Sequence, residues 1–109
     1  MNLSIDVSEK NDVHEVKLSG EIDVYTAPKL KETILPLTKQ KGATVKIDLE
    51  KVQYMDSTGL GVFISGLKAA KEYESKLILV NLKDRVFRLF DITGLKEVFT
   101  IEDTIRGGK

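Results

Sequence analysis

The stretch VKIDLEKVQYMDSTGLGVFISGLKAAKEYESKLILV, Val45 to Val80, decides the architecture. Val45, Ile47 and Leu49 alternate with Lys46 and Asp48, the period of a half-buried strand. Leu60, Ile64 and Leu67 then fall at i, i+4, i+7 with Phe63 beside them, while Lys68, Lys71 and Glu72 take the solvated side. Leu77-Ile78-Leu79-Val80 is a short continuous apolar run, which predicts a central strand covered on both faces. Strand, amphipathic helix and strand in that order make a βαβ unit, and such units build parallel sheets.

Working toward the N-terminus, Leu30, Ile34 and Leu37 form another helical stripe, with Lys29, Lys31, Glu32 and Lys39 facing water. Thr26 is placed to cap it and Pro28 sits in its first turn, where a missing N–H costs nothing. Pro36 should kink this helix or shorten its last turn, and Gly42 ends the segment. Before it come two alternating strands. Leu3, Ile5 and Val7 mark the first, and Val16, Leu18 and Ile22 the second, with polar Ser8 to Asp12 as the hairpin connection. Toward the C-terminus, Val86, Leu89 and Phe90 stripe a third helix over Asp84 to Ile92, with Gly94 as its stop. Val98 to Ile101 reads as a last strand. One more helical turn is expected before a frayed tail, Arg106 to Lys109. The predicted fold is a single α/β domain over residues 1–109, a mixed sheet with helices packed on it, ordered β-β-α-β-α-β-α-β.

Composition narrows the function. The 109 residues carry 17 Lys plus Arg against 17 Asp plus Glu, a formal net charge of +0. A duplex nucleic-acid binder needs a basic surplus, as does a polybasic membrane anchor. Cys is 0, which removes disulfides, thiol nucleophiles and cysteine metal ligands together. The single imidazole, His14, lies in the second strand without partners for a metal site or a catalytic triad, and reads as an ordinary exposed or satisfied residue. No signal segment opens the chain, and the longest apolar runs fall far short of the ~20 residues that span a bilayer. A cytoplasmic protein with no metal and no cofactor is expected.

Chemistry concentrates at Asp56-Ser57-Thr58-Gly59-Leu60-Gly61, where the chain turns into the second helix. A helix N-terminus offers unpaired N–H groups and partial positive charge, so a hydroxyl there can be phosphorylated without unfolding the domain. An Asp or Ser at such a place is also an ordinary N-cap. Capping leaves Gly59 and Gly61 unexplained, since each weakens helix propensity by roughly 1 kcal/mol relative to Ala. Close approach by another surface would compensate. Enzyme signatures fail here. Asp-Ser-Thr-Gly is one residue longer than the Asp-Thr-Gly or Asp-Ser-Gly of aspartic proteases and opens a helix. Neither a phosphate-binding loop nor a nucleophile elbow is present.

Three blocks carry a resemblance. Gly20-Glu21-Ile22-Asp23 with Thr26-Ala27, Tyr54 through Val62, and Arg88-Leu89-Phe90-Asp91-Ile92-Thr93-Gly94-Leu95 resemble the STAS-domain anti-sigma factor antagonists, in order and in register from end to end. The resemblance implies a regulator that is not an enzyme. Its unphosphorylated form would bind an anti-sigma factor that is also a serine kinase, freeing a sigma factor for stress-response transcription. The kinase would phosphorylate the antagonist, and a phosphatase of the PP2C type would reverse this. The acceptor implied is Ser57, with Thr58 the second candidate. Asp23 and Asp56 match the acidic positions that flank the acceptor, and are assigned with Thr58, Gly59 and Gly61 to the acceptor site and partner contact. The alternative from another class is a STAS-type ligand or scaffold module, of the kind attached to anion transporters or stress sensors.

Overall fold

A computed structural model of the chain describes residues 2–102. The elements are β1 (Leu3–Lys10), β2 (Val13–Ile22), α1 (Ala27–Thr38), β3 (Thr44–Met55), α2 (Ser57–Tyr73), β4 (Lys76–Val80), α3 (Asp84–Ile92), a 3-10 turn (Leu95–Glu97) and β5 (Thr100–Glu102). The predicted element order therefore stands, with the 3-10 turn added. The tail predicted at Arg106 to Lys109, and the helical turn before it, lie outside the described residues.

One sheet holds the strands in the order β1-β2-β3-β4-β5. β1 and β2 are antiparallel, and every later neighbour is parallel. Each βαβ crossover steps one strand in the same direction, and crossovers of one hand lay their helices on one face. That face collects the core. Val16 pairs with Ile47 and Ile47 with Leu79, a row closed over by Leu30, Ile34, Phe63 and Phe90, all fully buried. The other face is polar: Asp6 lies beside Lys17, and Lys17 beside Asp48, so opposite charges neighbour one another across three strands.

Several local expectations are corrected. The hairpin connection is two residues, Asn11-Asp12, not Ser8 to Asp12. Both adopt positive φ (54° and 66°), the conformation of a tight turn that matches strand twist, and Asn and Asp tolerate it. The polar run before them belongs to an exposed edge strand. β3 continues past Leu49 to Met55, and the last strand begins at Thr100, because the backbone N–H of Phe99 is held by the Leu95 carbonyl in the 3-10 turn. β3, not Leu77 to Val80, is the middle strand. Leu77 and Leu79 point into the core, while on the opposite face Ile78 is half-buried and Val80 is buried. α1 runs two residues past Pro36 to Thr38. The carbonyl that the proline leaves unbonded belongs to exposed Glu32, where water can reach it.

The stripe of α2 also differs. Ile64 and Leu67 are only half-buried, and the buried side runs through Gly59, Leu60, Val62, Phe63, Gly66, Ala69 and Ala70. Small residues let this helix lie close to its neighbours. A Cβ on Gly66 would sit 3.2 Å from Leu77 Cδ2 and 3.4 Å from Ile34 Cγ2.

Candidate functional site

β2 and β3 end side by side. Ile22 pairs with Met55, and the Asp56 N–H donates to the Ile22 carbonyl at 3.3 Å. The turn 23–26 and the start of α2 therefore emerge at one corner of the sheet. The corner encloses an open cavity of about 380 Å³ lined by Glu21, Asp23, Val24, Tyr25, Tyr54 and Asp56. Asp23 and Asp56, far apart in sequence, thus share one surface.

Asp56 is the N-cap of α2. Its backbone is extended, and its Oδ1 accepts the Thr58 N–H at 2.9 Å. The capping reading is correct for this residue. Ser57 follows as the first residue of the helix and is exposed, as is Thr58. Among the described residues neither hydroxyl has a hydrogen-bond partner. The two hydroxyls face water at the positive end of a 17-residue helix.

The two glycines differ in surroundings. Gly59 is buried, and a Cβ there would lie 2.5 Å from Met55 Cγ and 2.8 Å from Ile22 Cγ2. Its missing side chain serves packing of α2 onto the strand ends. Gly61 is exposed, with nothing within 4 Å of its would-be Cβ. Gly59→Ala should therefore cost about 1–3 kcal/mol through overpacking. Gly61→Ala should instead stabilise by up to about 1 kcal/mol through helix propensity. Denaturant titrations check the contrast, and equal effects would contradict it.

Asp23 is buried, and its neighbours explain why a carboxylate is tolerated. Its Oδ1 accepts the N–H groups of Tyr25 at 2.9 Å and Thr26 at 3.0 Å. The Thr26 hydroxyl accepts the Asp23 N–H and donates to the Glu21 carbonyl, both at 2.9 Å. Thr26 stands at the N-cap position of α1, yet its side chain makes no cap hydrogen bond. The expected cap is corrected: the hydroxyl is spent on the turn, and the first N–H of α1, that of Ala27, is taken by the Asp23 backbone carbonyl at 2.8 Å. Burial pushes the Asp23 carboxyl up, but the hydrogen bonds from Thr26 and Tyr25 outweigh it and hold the pKa below the ordinary 3.8. A carboxylate depressed in this way stabilises the fold above its unfolded pKa, and that stability is lost as pH falls through the folded value. The melting-temperature advantage over Asp23→Asn should hold near neutral pH and shrink between about pH 5 and 3. A constant difference across that range would contradict the assignment.

His14 lies away from this corner, near the β1–β2 turn, buried and satisfied. Its Nε2 is 3.2 Å from Gln40 Oε1 and its Nδ1 3.8 Å from Glu9 Oε1. The third block, Arg88 to Leu95, contains Phe90 of the core and Gly94, whose φ of 76° ends the α3 segment. Its hallmark residues are thus explained by packing and chain reversal. The sequence reading missed Val24, Tyr25 and Tyr54, which are 59%, 78% and 46% exposed around the Asp23–Asp56 corner. The available signal was two apolar residues inside a turn bracketed by Asp23 and Thr26. Among the described residues no helix is long and apolar enough to cross a membrane.

The STAS domain family matches residues 4–107. The anti-sigma-B factor antagonist of Bacillus subtilis (strain 168) is 48% identical over 108 residues, covering 99% of this chain and 98% of that protein. Among solved structures, an anti-sigma factor antagonist from Mycobacterium paratuberculosis superposes with a TM-score of 0.81 at 26% identity, over 97% of this chain and 90% of that one. The Bacillus cell fate determinant SpoIIAA in its phosphorylated form gives 0.73 at 19% identity, over 96% of each chain, a likeness of fold. Matched by the family over residues 4–107 and by a relative over nearly its whole length, the chain belongs to the STAS domain family, among its anti-sigma factor antagonists.

Proposed function

We propose that the unphosphorylated chain binds an anti-sigma factor that is also a serine kinase, and so releases a sigma factor to drive stress-response transcription. The bound kinase phosphorylates Ser57 and ends the interaction. A PP2C-type phosphatase restores the active form. Thr58 is the second-choice acceptor. Asp56 and Asp23 shape the acceptor corner, Gly61 leaves room for the partner beside it, and Gly59 seats the helix that carries the serine. The chain works as one domain over residues 1–109, in the cytoplasm, by binding and not by catalysis. Nucleic acid, membrane and cofactor take no part.

The observation that supports this reading is the position of Ser57. Its hydroxyl is exposed and unengaged at a helix N-terminus, directly after Asp56, which shares a cavity with exposed Val24, Tyr25 and Tyr54. A serine so placed is open to a kinase, and the apolar residues around it suit a protein partner. Added to a preformed complex of the kinase and its sigma factor, the unphosphorylated chain should displace the sigma factor, read by size-exclusion chromatography. The phosphorylated chain should leave that complex intact. No displacement by either form would overturn the proposal.

A further inference from the structure

Tyr25 is the most exposed large apolar residue among the described residues, at 78%, with Val24 beside it at 59%. The turn that presents them is tied on both sides of Val24. Asp23 Oδ1 takes the N–H groups of Tyr25 and Thr26, the Thr26 hydroxyl links the Asp23 N–H to the Glu21 carbonyl, and the Asp23 carbonyl takes the Ala27 N–H at 2.8 Å. An aromatic ring held out to water on a fixed turn is a prepaid contact, because little backbone freedom remains to be lost on docking. Tyrosine adds a large contact area at the cost of ordering only two side-chain torsions, and it is enriched at binding hot spots.

Val24 also joins two surfaces. It borders the cavity that holds Tyr54 and Asp56, and a second one of about 480 Å³ that reaches Thr58, Gly61 and Val62 on α2. Val24 thus shares one cavity with Asp56 and the other with Thr58, the two residues that flank Ser57, so a protein face seated over both also meets Val24. We propose that the Val24–Tyr25 knob is the anchor of the kinase interface. The Tyr25 ring enters an apolar pocket on that partner, and Asp23 is the positioning residue that fixes the knob. This rests on the reading of the chain as an antagonist phosphorylated by the kinase it binds.

The test is titration calorimetry of the full chain with its cognate kinase. Tyr25→Ala should weaken binding by about thirtyfold or more, at an unchanged melting temperature, and Tyr25→Phe should restore most of the affinity. Asp23→Ala should weaken binding and loosen the Val24 and Tyr25 amides in backbone relaxation measurements. Asp23→Asn, which keeps an acceptor oxygen, should rescue both. Ser57→Asp is the control for the underlying reading. Wild-type affinity for Tyr25→Ala, with binding still lost in Ser57→Asp, would overturn the anchor and leave that reading standing. Unchanged affinity in Ser57→Asp, with no phosphate added to Ser57 by the kinase, would sink the reading and the anchor with it.

Discussion

Phosphorylation of Ser57 should lower affinity for the kinase by about a hundredfold or more, equivalent to ~2.7 kcal/mol. The modification adds roughly −1.5 to −2 charge directly after the Asp56 carboxylate. It does so on a surface whose exposed apolar residues, Val24, Tyr25 and Tyr54, imply a docked face that excludes water. Within the free domain the phosphate meets the positive end of α2, where anions are tolerated. In the complex the same group must shed water near Asp56 and an opposing protein, and a buried charge without a partner costs several kcal/mol. The penalty therefore falls on the complex alone. Calorimetry of the two forms should give the affinity ratio, and Ser57→Ala should bind like the unmodified chain. Amide chemical shifts of the phosphorylated form should change only in the first turn of α2 and in the turn at 23–26. Shifts spread through β4 and α3 would require a second global state.

Phe90→Ala should cost about 3–5 kcal/mol of stability. The ring is fully buried, with Phe99 in an edge-on arrangement at 5.3 Å between centroids and Phe63 at 6.4 Å. It ties α3 to α2 and to the segment leading into β5, so its loss leaves a cavity where three pieces of the fold meet. Edge-on aromatic pairs add roughly 0.5–1.5 kcal/mol beyond buried area. Domains of this size have only about 5–15 kcal/mol to lose, so the variant should unfold at a much lower denaturant concentration. Ile92→Ala, on the same helix but 71% exposed, should change stability by no more than about 0.5 kcal/mol. A loss below about 1 kcal/mol for Phe90→Ala would contradict the packing described, since even partial collapse of the site leaves more than that.

The order of elements was legible because alternation and helical spacing report burial directly. α3 was read to its bounds, since Val86 and Phe90 bury one stripe of a helix that carries Asp84, Arg85, Arg88 and Asp91 off it. The α2 stripe was misread for a physical reason: its inward side uses Gly59 and Gly66, and a count of apolar side chains passes over residues that bury by having none. The role of Thr26 was hidden because one hydroxyl can cap a helix or close a turn, and only the fold shows that it accepts the Asp23 N–H and donates to the Glu21 carbonyl. Of the candidate site, the Asp56 cap and the exposed Ser57 were visible in a nine-residue window. The knob at Val24 and Tyr25 was not, because its exposure depends on the pairing of Ile22 with Met55, thirty-three residues away.

The most direct measurement is the location of the phosphate. After incubation with ATP and the cognate kinase, intact mass should rise by one phosphate, and peptide sequencing should place it on Ser57, with no gain in Ser57→Ala. A phosphate found on Thr58 or elsewhere, or no gain in the wild-type chain, would contradict the assignment of Ser57 as the switch.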